Sequence, residues 1–292
     1  MMYKKLTSLF ISLLFTVSIA NASDISAMCA QPYDMSWKGT QILTNITGMT
    51  LLSQAVANSI VKKELKNSTG EKNFKVKMKS FSAKDLAAGR FKSLNISGKD
   101  LNFDGVYLTN FSASTICDFN YIQANKNSVK FKENFAMNYS MTVSDNDLRK
   151  TVISEDYLKF LKSLNLKFGG LSLLELENVD VKLQNDKLVY SLKMNNSMFN
   201  YNIPFNIDVS AKMKVQNGQI KATEVALANK NQKLNLTQVT NLLNMINPLN
   251  FTVNVLDNAN TQVALKNLDI QGDKLILDGT LFVPKNTEES RK

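Results

Sequence analysis

The chain is 292 residues long, with 35 lysines and arginines against 25 aspartates and glutamates, a net charge of +10 and no histidine. The lack of histidine excludes Ser-His-Asp and Cys-His nucleophiles, the HExxH zinc motif and every histidine-ligated metal site. The lysines are dispersed, which argues against nucleic acid as a partner and fits an anionic phospholipid surface as a neighbour.

We therefore expect a protein that is not an enzyme and that needs no cofactor. A hydrolase built on paired carboxylates is a distant alternative, because that chemistry requires only two acidic side chains. The acidic residues, however, lie mostly in predicted turns, where aspartate is favoured for backbone reasons, as at Asp100, Asp104 and Asp186.

The first 22 residues have the features of a signal peptide. Lys4 and Lys5 precede an uncharged apolar run over residues 6–19, and Ala20-Asn21-Ala22 supplies a small-x-small cleavage motif. We predict cleavage there and export to the periplasm or cell envelope. A retained membrane anchor is one alternative, although the apolar run is short for a span of about 20 residues. A lipoprotein lipidated at Cys29 is a weaker one, because Met28 is a poor residue just before a lipidated cysteine.

Two cysteines follow the predicted leader, Cys29 and Cys117. In an oxidising compartment a pair of cysteines predicts a disulfide. The alternative is two buried thiols. The segment over residues 23–47 is predicted to be an N-terminal extension with an open role.

Residues 48–66 are predicted to form a long helix. Apolar residues recur at spacings of three and four, among them Leu52, Val56 and Ile60, and lysines near the end suit a helix C-terminus. We expect this apolar stripe to lie against the rest of the fold.

A half-buried strand follows the helix. Phe74, Val76 and Met78 alternate with Lys75 and Lys77, which places the apolar and basic side chains on opposite faces.

Three glycines, Gly89, Gly98 and Gly105, then interrupt short runs of alternating residues. A phosphate-binding loop places its glycines between one strand and one helix. Here strands are predicted on both sides, so the glycines predict turns rather than a nucleotide site.

The remaining chain contains further strands and amphipathic helices. Met137, Tyr139 and Met141 share one face of a predicted strand over 135–143, and a helix start resembling a capping box follows at Ser144. Two further predicted helices are 154–166, with Leu161 on its apolar side, and 237–247, with Leu242 and Ile246, which Pro248 ends.

Three similar hairpin tips occur in the second half, at Asn185-Asp186, Asn217-Gly218 and Gly272-Asp273. They predict an α+β fold in which a long antiparallel meander curves around the long N-terminal helix. Such a curved sheet leaves a trough that either side chains or the apolar tails of a ligand fill. We predict one domain over 48–285 and a polar tail over 286–292.

Three stretches carry a resemblance to a known family: "LAAGRFKSLNISGKDLNFDGVYLTNFSAS" (86–114), "TVSDNDLRKTV" (142–152) and "VALKNLDIQGDKLILDGTL" (263–281). Over residues 51–284 the chain resembles the LmeA-like family of bacterial phospholipid-binding envelope proteins. The resemblance implies a shape like that of tubular lipid-binding proteins, in which a curved sheet and a long helix enclose acyl chains. It implies no catalytic residue.

The sequence thus predicts an exported protein that binds phospholipid or a similar acyl-chain lipid. Lys75, Lys77, Arg90 and Lys92 are the candidates for contact with an anionic headgroup or membrane surface. The alternative is an extracytoplasmic structural or adhesion module with a filled core that binds a protein partner. The predicted apolar groove comprises Leu52, Val56, Ile60, Phe74, Val76, Met78, Met137, Tyr139, Met141, Leu161, Leu242 and Ile246.

Overall fold

The computed structural model describes residues 29–69, 73–125, 128–164, 174–198, 201–228, 234–256 and 262–285. The predicted signal peptide and the predicted polar tail lie outside the described residues.

The fold is mixed α+β, as predicted. The first part of the chain forms α1 (Lys38–Ile46), α2 (Met49–Thr69), β1 (Phe74–Lys79), α3 (Ala83–Ala87), β2 (Arg90–Phe91), β3 (Ser93–Phe103), β4 (Val106–Thr115), β5 (Asn120–Asn125), β6 (Ser128–Phe131) and β7 (Phe135–Ser144). The rest forms α4 (Asp145–Val152), α5 (Glu155–Ser163), β8 (Leu174–Gln184), β9 (Lys187–Met198), β10 (Tyr201–Gln216), β11 (Gln219–Leu227), α6 (Leu236–Ile246), α7 (Pro248–Leu256), β12 (Gln262–Gln271) and β13 (Lys274–Val283).

The strands form three sheets instead of the single long meander that the sequence predicts. One sheet has six strands in the order β1-β3-β4-β7-β13-β12, one has four in the order β11-β10-β9-β8, and one has three in the order β2-β5-β6. Every pairing among the described strands is antiparallel, which confirms that part of the prediction. Only the four-stranded sheet is a simple meander. The six-stranded sheet instead places β13 beside β7, a pairing of segments far apart in sequence.

The hairpin tips are confirmed. Asn185 and Asp186 have φ of 51° and 58°, and Asn217 and Gly218 have φ of 53° and 72°, the left-handed pair that a two-residue turn between twisted strands requires. Gly98 differs from the prediction because it lies within β3 instead of between two strands.

The capping residues explain where the helices begin and end. Ser144 and Asp147 form the predicted capping box at the start of α4. Pro248 ends α6 as predicted but also begins α7, a helix that was not predicted. Proline suits the first position of a helix because its missing N–H is not needed there, and the side chain of Asn247 accepts a hydrogen bond from the Leu249 N–H.

The long helix α2 lies outside the sheet, along the free edge of β1, whereas the prediction had the sheet curve around it. The Asn58 Oδ1 atom accepts a hydrogen bond of 2.8 Å from the Met78 N–H, and Gln54 donates to the Ser80 hydroxyl. Asn58 thereby satisfies a backbone N–H at the edge of β1 that would otherwise be unpaired, whereas Gln54 binds a side chain just beyond the strand. The helix is therefore turned with part of its polar side inward, and only Ala57, Val61 and Leu65 pack against the core.

Candidate functional site

Most of the predicted groove residues are core residues. Val76 is half-buried, and eight others are at most 7% exposed and belong to one hydrophobic cluster: Phe74, Met78, Met137, Tyr139, Met141, Leu161, Leu242 and Ile246. Their burial is explained by packing between the sheets and the helices. Whether any of them touches a lipid stays a prediction.

The remaining three predicted groove residues lie at the surface. Leu52, Val56 and Ile60 are 70%, 60% and 63% exposed, respectively. The expectation that this stripe lies against the rest of the fold is not met for these three side chains, because α2 turns its other side to the edge of β1.

These three residues form one wall of a groove that we call the helix groove. It has a volume of about 670 Å³ and runs between α2 and the segment that contains α3, Gly89 and part of β5. Leu86, Ala87 and Ile122 contribute apolar surface to the opposite wall. The helix groove is therefore a largely apolar cleft that is open to solvent.

Gly89 fixes the far wall of the helix groove. It has a φ of 83°, and its carbonyl accepts a hydrogen bond from the Ile122 N–H. A Cβ atom at this position would lie 1.9 Å from the Ile122 carbonyl oxygen, so any side chain here would push α3 and β5 apart.

A second depression crosses the outer face of the six-stranded sheet, and we call it the sheet trough. It has a volume of about 700 Å³. The strand register aligns one row of side chains across it, Lys75, Ser97, Ser112, Ser140 and Asp278. A second row comprises Lys77, Asn95, Ser114 and Asn138.

Most of the residues that line the sheet trough are polar or charged. Lys75 and Lys77 lie at its β1 end, and the Lys266 Nζ atom lies 3.4 Å from Asn138 Oδ1 on the other side. With Asp278 as the only carboxylate in the described lining, three lysines give this surface a net positive charge. The structure thus brings two of the predicted headgroup lysines together, but away from the helix groove.

Arg90 is not a surface residue. Its guanidinium lies 2.7 Å from Asp34 Oδ2 and 3.6 Å from Asp85 Oδ1, and the residue is only 7% exposed. Because two carboxylates already neutralise it, we leave Arg90 out of the headgroup set. Lys92 is exposed, with its Nζ atom 5.2 Å from the centroid of the Phe81 ring.

Asp85 is fully buried and ties the N-terminal extension to α3. Both Ser36 and Ser82 donate hydroxyl hydrogen bonds of 2.6 Å to Asp85 Oδ2, and the Ser36 N–H donates to Oδ1. Burial by itself raises the pKa of this carboxyl, but the serine hydrogen bonds and the charge of Arg90 outweigh it and lower the pKa.

The extension is also held by a disulfide between Cys29 and Cys117, which confirms the predicted pair. The Tyr33 ring packs on Phe119, with ring centroids 5.3 Å apart. Its hydroxyl donates to Glu133, and this hydrogen bond raises the pKa of Tyr33 to about 12. The extension, whose role the sequence left open, is thus fastened to the body at several points.

Two core tyrosines differ in hydrogen bonding and give a matched test. The Tyr157 hydroxyl donates to the Ile246 carbonyl, whereas the Tyr139 hydroxyl has no partner among the described residues. We expect Tyr139→Phe to leave the free energy of unfolding unchanged or slightly higher, and Tyr157→Phe to lower it by about 1 kcal/mol. Urea unfolding measures both. A larger loss for Tyr139→Phe would show that this hydroxyl binds a group inside the core.

Within the described ranges, no helix combines the length and apolarity needed to cross a membrane. The same ranges hold no cluster of three cysteine or acidic side chains arranged to bind a metal ion.

The far wall of the helix groove was not predicted. Leu86 and Ile122 lie apart in sequence and meet α2 only in the folded chain, and Ala87 carries no distinctive pattern. The only local signal was Gly89, which was predicted to lie in a turn.

Comparison with known proteins gives one match. A model of the LmeA-like phospholipid-binding family matches residues 49–280, which is well over half of the chain. No curated protein and no solved structure matches the chain. The matched region begins with α2, so α1 and the disulfide-bonded segment before it lie outside the match.

Proposed function

This chain belongs to the LmeA-like phospholipid-binding family, and we propose that it is an exported, non-enzymatic envelope protein that binds an acyl-chain lipid in the helix groove. The observation that carries this proposal is the exposed apolar wall of Leu52, Val56 and Ile60 facing Leu86 and Ile122. Exposing this many apolar side chains to water is unfavourable in free energy unless a bound ligand covers them.

The size of the helix groove supports one acyl tail. Its volume of about 670 Å³ lies in the usual range for small-molecule sites, roughly 300–1,000 Å³. Leu52 and Ile60 are separated by eight residues, or about 12 Å of helix at 1.5 Å per residue. A tail that spans half of a bilayer core extends about 15 Å. The proposed occupant is therefore a single tail, with about 0.8 kcal/mol gained per methylene covered.

The headgroup of such a lipid would lie outside the apolar walls. Lys63 follows Ile60 by three residues and lies on the same side of α2, where its exposed ammonium is available to a phosphate. Lys75 and Lys77 line the sheet trough, where we propose a contact with anionic headgroups of a membrane, independent of the tail.

Native mass spectrometry of protein purified gently from cells tests the proposal. We expect a lipid-bound mass for the unmodified protein and a lipid-bound fraction about tenfold lower for Val56→Asp, because a carboxylate in the groove must lose hydration when a tail enters. Ala55→Asp is the matched control, since Ala55 is exposed on the same helix but does not line the groove.

Two results contradict the proposal. One is recovery of only the bare mass from the unmodified protein. The other is an equal loss of lipid in Val56→Asp and Ala55→Asp.

A second function is favoured by the burial of the eight predicted groove residues, which matches a module with a filled core. Such a module binds a protein partner and takes up no lipid. A titration with fluorescent phospholipid separates the two functions, because saturable uptake supports the lipid binder and its absence, with capture of a single protein, supports the module.

A further inference from the structure

We propose that α1 and the outward side of α2 form a docking face for an anionic lipid bilayer. The docking face comprises Trp37, Ile42, Ile46, Met49, Leu52, Val56 and Ile60. This inference deepens the proposed function by naming the partner from which the helix groove is loaded, and it rests on that function only for the loading step.

The docking face is unusually apolar for a surface. Of thirteen exposed large apolar side chains in the described part of the chain, nine lie between Trp37 and Ile60. Trp37 and Ile46 are each 79% exposed, and Ile42 is 59% exposed. Exposed apolar side chains concentrated on two helices that touch each other indicate a binding surface, since monomeric soluble proteins rarely expose large apolar patches.

The charge around the docking face selects the partner. Residues 35–63 contain no aspartate or glutamate, while Lys38 stands at the start of α1 and three lysines with one acid, Lys62, Lys63, Glu64 and Lys66, stand near the end of α2. Lysines at both ends of an apolar face complement the negative headgroups of a bilayer. A second copy of the chain would instead bring the same lysines to the interface and repel.

Trp37 is placed for the membrane interface. Its ring lies across the backbone of Gly39, where a Cβ atom would come within 2.1 Å of the ring. The ring is thus held at the start of α1, on the docking face, and remains exposed. Tryptophan is favoured at the boundary between headgroups and acyl chains because its ring is apolar and its N–H is polar.

The docking face and the helix groove share Leu52, Val56 and Ile60. A bilayer against the docking face therefore lies at the mouth of the groove, so that one tail can enter it without crossing water. Because the groove holds a single tail, the second tail of a phospholipid can stay in the bilayer during loading. The α1 part of the face lies outside the family match.

Trp37 is the only tryptophan in the chain and reports docking directly. We expect its emission to shift to shorter wavelength with vesicles that contain phosphatidylglycerol, and to shift much less with phosphatidylcholine alone or at high salt. Co-sedimentation gives the affinity. An unchanged emission spectrum with phosphatidylglycerol vesicles, together with no co-sedimentation, overturns the proposal.

Two pairs of variants separate the apolar and the charge contributions. We expect Ile42→Ser with Ile46→Ser to weaken vesicle binding about tenfold or more, whereas Ile153→Ser, at a residue of similar exposure outside the face, leaves it unchanged. Reversing Lys62 and Lys66 to glutamate weakens it at least about 25-fold, at about fivefold per lysine, and Lys274→Glu is the control. Equal binding by each variant and its control overturns the proposal.

The failure of docking and the failure of lipid binding give different results. If the protein is purified with bound lipid but does not bind phosphatidylglycerol vesicles, docking is overturned and the proposed function is not affected. Vesicle binding by a protein that never carries lipid supports docking and contradicts the proposed function. A dimer in sedimentation that Ile42→Ser with Ile46→Ser dissociates, without vesicle binding, assigns the face to a second copy and also overturns docking.

Discussion

We expect the protein with Cys29→Ser and Cys117→Ser to lose about 4–5 kcal/mol in free energy of unfolding. The disulfide joins residues 88 apart, and closing a loop of that length restricts the unfolded chain by about this amount in the chain-entropy model. The loop contains α1, α2 and β1–β4, so the stabilisation acts on a large part of the fold.

Urea unfolding measures this loss. Reduction of the unmodified protein with dithiothreitol is the matched control, because it opens the same loop without a substitution and should give a similar loss. A midpoint and slope equal to those of the oxidised protein would contradict the expectation.

The second large effect concerns the buried carboxylate. We expect Asp85→Asn to lower the free energy of unfolding by about 3 kcal/mol or more, because the Asp85 carboxylate is fully buried, accepts hydrogen bonds from Ser36 and Ser82, and faces the buried guanidinium of Arg90. Asp34→Asn removes the other partner, whose side chain is 72% exposed, and should cost at most about 1 kcal/mol. Equal effects of the two substitutions would show that burial does not control the strength of this cluster.

The Asp85 effect also depends on pH. Its pKa is lowered in the folded protein relative to about 3.9 in an unfolded chain, so its stabilisation is complete above that value and is lost as the pH falls through the folded pKa. The difference in unfolding free energy between the unmodified protein and Asp85→Asn should therefore be constant near neutral pH and shrink below about pH 4. Urea unfolding of both proteins, near neutral pH and again below about pH 4, measures this difference.

Local chemistry explains what the sequence predicted well. Asn217-Gly218 and Asn185-Asp186 favour left-handed backbone by themselves, so their turns needed no tertiary information. Ser144 and Asp147 cap α4 with their own side chains. The pair Cys29 and Cys117 followed from composition, because only two cysteines were present.

Tertiary context decided the rest. The stripe of Leu52, Val56 and Ile60 indicated an inward face, but α2 instead turns Asn58 toward the Met78 N–H at the edge of β1 and Gln54 toward the Ser80 hydroxyl. The sequence around Arg90 indicated a surface cation. In the folded chain, Arg90 is instead paired with Asp34 and Asp85, which come from two other parts of the chain. The position of β13 beside β7 likewise depends on a contact between distant segments, which no local pattern encodes.

The hydrogen bond between Asn58 and the Met78 N–H bears on how the proposed lipid could enter and leave the helix groove. If α2 moved away to admit a lipid, the unpaired backbone groups at the edge of β1 would be exposed. A strand from another molecule could then pair with them. We therefore expect α2 to remain packed against β1 while a lipid binds and leaves. Under the proposed function, the helix groove then acts as a fixed binding surface and not as a gate that opens and shuts.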